Sequence, residues 1–497
     1  MRGARPAGRA LLAGSLLFGA GAVAQDAARG AAEPPVATAV VTGTVTVEPL
    51  GAPGTGSAGV LPPAVSGLPR DLWSRSDADD LARRIAALPP GGPRAATLLE
   101  RSAMLAEAAP PGTGNPGALL AARLARLVER GHLDAAAALA DRTGARTPAL
   151  RRAAFDVALL IGDEGRACRN VDPDPSEAGD YARRVFCLVR GGDWSAAATV
   201  FDGARALGRL DPLDAALLAA FLDPELADGP PPDPPVRPSP LQFRLLEALG
   251  APIPTHALPI AYARSDLREV AGRKARLEAA ERLARAGALE GARLLELYAA
   301  RRASASGGVW ERVRAVRALD AALAAGNGAA VTAALPEAVA ALDAAGLLPA
   351  MADALYPAVE ALEGEVGADG QEPALVLGLL SARYEDAAAR WPEAEGPHLS
   401  AARAVARGER PPPGGDALDE AVGAAFAPDA AVPERLAVPA AEGRFGEALL
   451  LALGDLARGA AGDRARLAGA LAFLRANGLE GPARRAALEL LVGRGAA

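Results

Sequence analysis

Apolar residues recur along this chain at the three- and four-residue spacing of amphipathic helices. Leu81 and Ile85 open the pattern. Leu120, Leu124, Leu127 and Val128 share one helical face, Val309, Val313, Val316, Leu319 and Leu323 share another, and Leu467, Leu471 and Leu474 a third. Stripes of this width need a partner helix to cover them, so the pattern predicts helix packed on helix from about residue 76 onward. Ser76 and Asp79 stand where a capping pair would begin the first helix. Strand-forming residues concentrate at 36–47, inside a stretch (25–70) rich in Pro, Gly, Thr and Val. With no other sheet-forming segment to pair with, 25–70 reads as a disordered linker or arm.

A chain of 497 residues is too long for one compact core and should divide, or extend as an array. Pro-rich breaks at 229–240, with its Pro-Pro-Pro-Asp-Pro-Pro run, and just after 408 interrupt the helical period. They mark expected helical blocks at 71–228, 241–408 and 409–497.

One short pattern joins the helices repeatedly. Gly131, Leu133 and Ala136, then Gly192, Trp194 and Ala197, Gly287, Leu289 and Ala292, and Gly443, Phe445 and Ala448 all follow Gly-x-Φ-x-x-Ala, where Φ is apolar. Gly suits the left-handed residue that ends a helix, Φ packs into the hairpin angle, and Ala lets the next helix cross closely. Asn477 and Leu479 repeat the pattern with Asn in the Gly place, 34 residues after Gly443, which is the tetratricopeptide period. At these residues the chain resembles the tetratricopeptide family. The resemblance implies an all-α fold, an α-solenoid of stacked helical hairpins, with the N-terminal arm outside it. Segments such as Gly307-Gly308-Val309-Trp310 are also similar to uncharacterised, exported, Ala-rich alphaproteobacterial proteins.

The first residues change the picture from fold to compartment. Arg2, Arg5 and Arg9 precede a short apolar run, and Ala22-Val23-Ala24 follows it. This is the layout of a signal peptide over 1–24, cut between Ala24 and Gln25. No later stretch is apolar for the length of a membrane span, so the expected destination is the periplasm or the exterior, without stable membrane insertion. Cys168 and Cys187, the only two cysteines, flank a polar turn between two helical runs and are expected to pair there. Charge adds a further limit. The chain carries −7, and −10 once the three leader Arg are removed, which argues against a nucleic-acid partner.

Candidate chemistry is thin. Gly54-Thr55-Gly56-Ser57-Ala58-Gly59 matches a dinucleotide fingerprint but runs into Pro62-Pro63, and Gly112 to Gly117 follows a helical segment where a strand is needed. His132, His256 and His398 are far apart in sequence, and no metal-ligand spacing occurs. Catalytic, cofactor and metal residues are therefore all expected to be none, and the chain is read as a non-enzyme. Two basic rows offer a possible binding face: Arg123, Arg126 and Arg130 on one helix, Arg273 and Arg276 on another, the latter interleaved with expected Glu278–Arg282 and Glu281–Arg285 pairs. The sequence reading is an exported scaffold for a protein or peptide partner in the cell envelope. The alternatives are an envelope enzyme or remnant resembling the helical superstructure of a lytic transglycosylase, and a structural spacer.

Overall fold

A computed structural model describes residues 57–144, 147–171, 180–223, 232–391 and 399–493. The expected signal peptide, the cut at Ala24 and Gln25, most of the arm, and His398 lie outside them. Among the described residues the fold is all-α: helices joined by short turns, with two isolated parallel bridges, Leu61 to Ala106 and Asp77 to Thr113, in place of any strand.

The helices form where the apolar stripes placed them. Leu120, Leu124 and Leu127 are buried on Pro116–Glu129, Val313, Val316 and Leu319 on Val309–Ala324, and Leu467, Leu471 and Leu474 on Arg464–Ala476. The first long helix, Ala78–Ala86, starts one residue away from expectation. Asp77 is its cap, accepting from the backbone N–H groups of Asp79 and Asp80, while Ser76 is buried before it. Asp reaches both first-turn N–H groups and also suits the positive end of the helix.

The recurring turn has a common hydrogen-bond pattern. At Gly131 the backbone takes φ +80°, Gly131 donates to Val128 O, and His132 donates to Leu127 O. That pair of bonds satisfies carbonyls the helix end leaves open, at a φ that a residue with a Cβ resists. The turns at Gly192, Gly287 and Gly443 close in the same way, as do the turn at Gly346, which has Leu348 in the apolar position but Met351 in place of Ala, and those at Gly326 and Gly408, which lack the apolar position. Three details differ from the sequence reading. In the last turn the left-handed residue is Gly478 and not Asn477, so the donor that follows is Leu479; Gly adopts this φ without steric cost when it stands next to Asn. Trp194 is 51% exposed and does not fill its hairpin angle. At the third turn the close approach is made by Gly291, where an added Cβ would stand 2.0 Å from Ala350 O, while Ala292 is exposed.

Two stretches fold beyond the expected boundaries. Residues 57–70, read from sequence as linker, include buried Ala58 and Leu68. After the Pro-rich break, Ser239 and Gln242 form a capping box for Pro240–Ala248. Leu241, Leu245 and Leu246 of that helix pack in one cluster with Phe155, Phe186 and Leu217 from before the break. The Cys168–Cys187 disulfide joins Glu164–Arg169 to Tyr181–Arg190 against this cluster.

A second, larger cluster runs through the rest of the chain from Leu68 to Leu491. It is continuous because the chain returns on itself. Ala78–Ala86 and Arg94–Leu105 pack against Phe445–Ala460, and Arg94–Leu105 also packs along Glu480–Val492. Gly446 N donates to Leu72 O at 3.1 Å. All of the described residues fall within one compact unit, Ala52–Ala497.

The return contact yields a paired prediction. A Cβ on Gly446 would stand 2.4 Å from Leu72 O and 2.6 Å from the Trp73 ring, whereas one on Gly423, also in a helix, meets nothing within 4 Å. Gly446→Ala should lower stability by about 1–3 kcal/mol, and Gly423→Ala should raise it by about 0.5–1 kcal/mol. Urea unfolding of the two variants measures both; equal shifts would remove the close contact from the account.

Candidate functional site

The helix Arg94–Leu105 lies where the start and end of the described fold meet, and its first turn has no cap of its own. Pro93 precedes it and offers no side-chain acceptor, so the orphan N–H groups of the first turn need one from elsewhere. Glu489, on Glu480–Val492, supplies it: its Oε1 accepts from Ala95 N at 2.9 Å. The bond spans 394 residues of sequence.

Beside this cap is a cavity of about 270 Å³. Gly92, Pro93 and Arg94 form one wall, Ala284 and Arg285 at the end of Arg273–Arg285 a second, and Gly346, Pro349 and Ala350 a third. Ala460, Glu489 and Leu490 complete it. Arg94 Nη1 donates to Ala284 O at 2.8 Å and Nη2 lies 3.9 Å from exposed Glu290, while Arg285 Nη1 donates to Ala345 O at 2.9 Å. Each guanidinium is thus oriented by a carbonyl, which fixes its fork without neutralising its charge. Gly92 is required here, at φ +97° with Ala457 Cα 3.2 Å from where a Cβ would be. Burial pushes the Glu489 carboxyl up to about 7; the backbone N–H groups of Ala95 and Arg94, and the charges of Arg94 and Arg485, oppose that rise without cancelling it. Burial likewise lowers the Arg94 pKa, the more so because Glu290 and Glu489 only partly offset it.

The residues picked from sequence as a basic face behave differently. Arg123 is only 1% exposed. Its guanidinium donates to Met104 O, Ala58 O and Ala106 O at 2.8–2.9 Å, closing the C-terminal end of Arg94–Leu105 and fastening the segment before it. Burial brings its pKa down to about 10, so it stays charged at neutral pH. Arg126, 2% exposed, and Arg130 both pair with buried Glu100, at 2.6 and 2.9 Å, and both donate to Pro89 O. Burial works to raise the Glu100 carboxyl, but the hydrogen bonds from Arg130 and Arg126 outweigh it and hold the group below its ordinary range. The row therefore grips Arg94–Leu105 from inside and offers no face to a ligand. The reason is that a helical row of Arg has no intrinsic side: here carbonyls and one carboxylate make the inward direction favourable.

The second basic row is not brought together with the first. Arg273 lies over the Trp310 ring at 5.2 Å and donates to the carbonyls of Arg301 and Arg302; Arg276 donates to Arg268 O at 3.0 Å. The expected helical pairs are also replaced. Glu278 pairs with Lys274, and Glu281 is buried against Arg312 and the Tyr298 hydroxyl, at 2.6 Å from each. Arg282 instead donates to Thr255 O and Leu258 O.

His132, in the Gly131 turn, is buried; desolvation first, and the charges of Arg101 and Arg130 after it, bring its pKa down to about 4. It is neutral at physiological pH. Among the described residues no cluster of three or more His, Cys, Asp or Glu is placed to hold a metal, and no helix is long and apolar enough to cross a membrane. The Gly112 to Gly117 loop serves the fold: Asn115 caps the next helix and the Thr113 hydroxyl donates to Asp77.

Sequence reasoning missed Arg94 and Glu489, and it placed Arg285 only in a helical pair with Glu281 on the second basic segment. The one local sign was a helix start at Gly91-Gly92-Pro93-Arg94 with no Ser, Thr, Asp or Asn to cap it. Nothing in the sequence around Glu489 marks it as the missing acceptor.

The raised Glu489 pKa gives a pH prediction with a definite sign. Between its unfolded value of about 4.5 and about 7, the folded protein holds a proton that the unfolded chain has lost, so stability falls as pH rises through that window. The loss should be on the order of 1–3 kcal/mol. Glu489→Gln keeps an acceptor for Ala95 N and should flatten the profile there. Denaturant unfolding at pH 5 and 8 tests this; an unchanged slope in the variant would remove Glu489 as the cause. No protein-family model, no curated protein and no solved structure matches the chain.

Proposed function

We propose that this chain is an exported, non-enzymatic scaffold of stacked, tetratricopeptide-like helical hairpins, which binds a protein or peptide partner in the cell envelope. The observation that carries the reading is the junction cavity, where five separate segments meet and bring Arg94 and Arg285 to one opening. Binding sites favour such junctions between packed elements. The leader-like residues 1–24 support export, and the Cys168–Cys187 disulfide suits an oxidising compartment. The partner is taken at the junction, since Arg123 and Arg126 are consumed within the core.

One observation favours a second reading. A carboxyl pushed up to about 7 beside a cavity, as Glu489 is, has the protonation a general acid needs. An envelope enzyme acting on glycan strands would use it so. Against this, Glu489 is already engaged as a helix cap, and the cavity is lined by no second carboxylate or hydroxyl to complete a reaction.

Crosslinking in the envelope fraction followed by purification distinguishes the readings. The scaffold reading expects a partner that co-purifies with the wild type and is lost with Arg285→Glu, a change at an exposed side chain that should leave the melting temperature within about 2 °C. Failure of any partner to co-purify, together with glycan cleavage that Glu489→Gln abolishes, would replace the scaffold with the enzyme.

A further inference from the structure

The junction cavity is small. At about 270 Å³ it falls below the roughly 300–1,000 Å³ of sites that enclose a drug-sized ligand, so it takes an end group and not a whole segment. Its charge is specific as well. Two guanidiniums, Arg94 and Arg285, line it with one acid, Glu489, which is turned to the backbone N–H of Ala95, while exposed Glu290 stands 3.9 Å from Arg94 outside the lining. Each guanidinium spends Nη1 on a backbone carbonyl, Ala284 O or Ala345 O. Guanidinium has five N–H donors, so both forks keep donors for an incoming anion. Glu489 already takes the Ala95 N–H at the start of that helix, so an incoming anion is left the guanidiniums and not the helix end.

We infer that the cavity recognises a carboxylate, and that the carboxylate is the free C-terminal end of a peptide chain. This rests on the reading of the protein as a peptide-binding scaffold, and it names what that scaffold reads. A single negative charge fits better than a phosphate dianion, which would set a second charge against Glu489. It also fits the balance of the whole chain, whose net charge of −7 opposes the approach of polyanions. The end of a peptide brings one charge, a planar pair of oxygens matched to a guanidinium fork, and a final side chain for the apolar walls.

The test uses the full chain and two sets of fluorescein-labelled tripeptides, Gly-Ala-Leu and Gly-Ala-Ala, each as the free acid and as the C-terminal amide, followed by anisotropy. Free acids should bind at least about tenfold more tightly than amides, the range expected for a charge-assisted pair. Arg285→Gln should weaken the acids alone by a similar factor while Arg285→Lys restores part of it. Acetate and succinate are run as free carboxylates, and inorganic phosphate as the competing anion. Equal binding of acid and amide would overturn end recognition while leaving the scaffold reading in place. Displacement of the peptide by phosphate at lower concentration than by acetate would overturn the carboxylate assignment. Stabilisation by acetate or succinate with no binding of either tripeptide would overturn the peptide end in favour of a free small acid. If no probe binds, the inference fails, and a partner that still co-purifies from the envelope through Arg285 shows that the scaffold reading has survived it.

Discussion

The helix Arg94–Leu105 depends on groups it does not own. Its first-turn N–H groups are met by Glu489 from the far end of the described fold. Its last carbonyls are met by Arg123, and its one buried acid, Glu100, is met by Arg126 and Arg130. A helix end buried without such partners would leave unpaired polar groups, each costing about 1–3 kcal/mol. The rest of the fold is arranged so that this does not happen: the helix of Arg123 must lie along one side, and the helix of Glu489 must return to the other.

The same constraint explains the candidate site. Because Glu480–Val492 has to place a carboxylate at the start of Arg94–Leu105, the ends of several helices converge there, and helix ends are blunt. They leave a gap bordered by Gly and Ala, with the two Arg side chains steered into place by carbonyls of neighbouring turns. Other buried carboxylates in the described fold are ion-paired with guanidiniums. Asp455 is paired with Arg435 and Arg466, and Glu360 with Arg383 and Arg390. Breaking one partner of such a set costs several kcal/mol, which is why these groups read as architecture and the junction stands apart.

How much of this was legible in the sequence follows from the range of each interaction. The stripes of Leu and Val declared their helices because a 3.6-residue period is a local property, and the Gly turns declared their ends because a positive φ is a demand on one residue. The Cys168–Cys187 pair was legible for the same reason: its partners sit only 19 residues apart in sequence. The direction of the Arg123 row was not, since the row has the same pattern whether it faces water or the carbonyls of a helix formed by residues 94–105. The repeat spacing points to Asn477 as the turn residue, while steric cost selects Gly478 beside it. The pairing of Glu489 with Ala95 is set by tertiary return alone, and no local pattern encodes it.

Arrays of helical hairpins ordinarily behave as one-dimensional systems, in which each unit leans on its neighbours and melting begins at the outermost ones. Here early and late segments of the described fold support each other, through Gly446 on Leu72 and Glu489 on Ala95. A fold tied together in this way departs from that one-dimensional behaviour. Loss of order at either end removes the support of the other, and what would be a gradual, end-first melt becomes a single cooperative event.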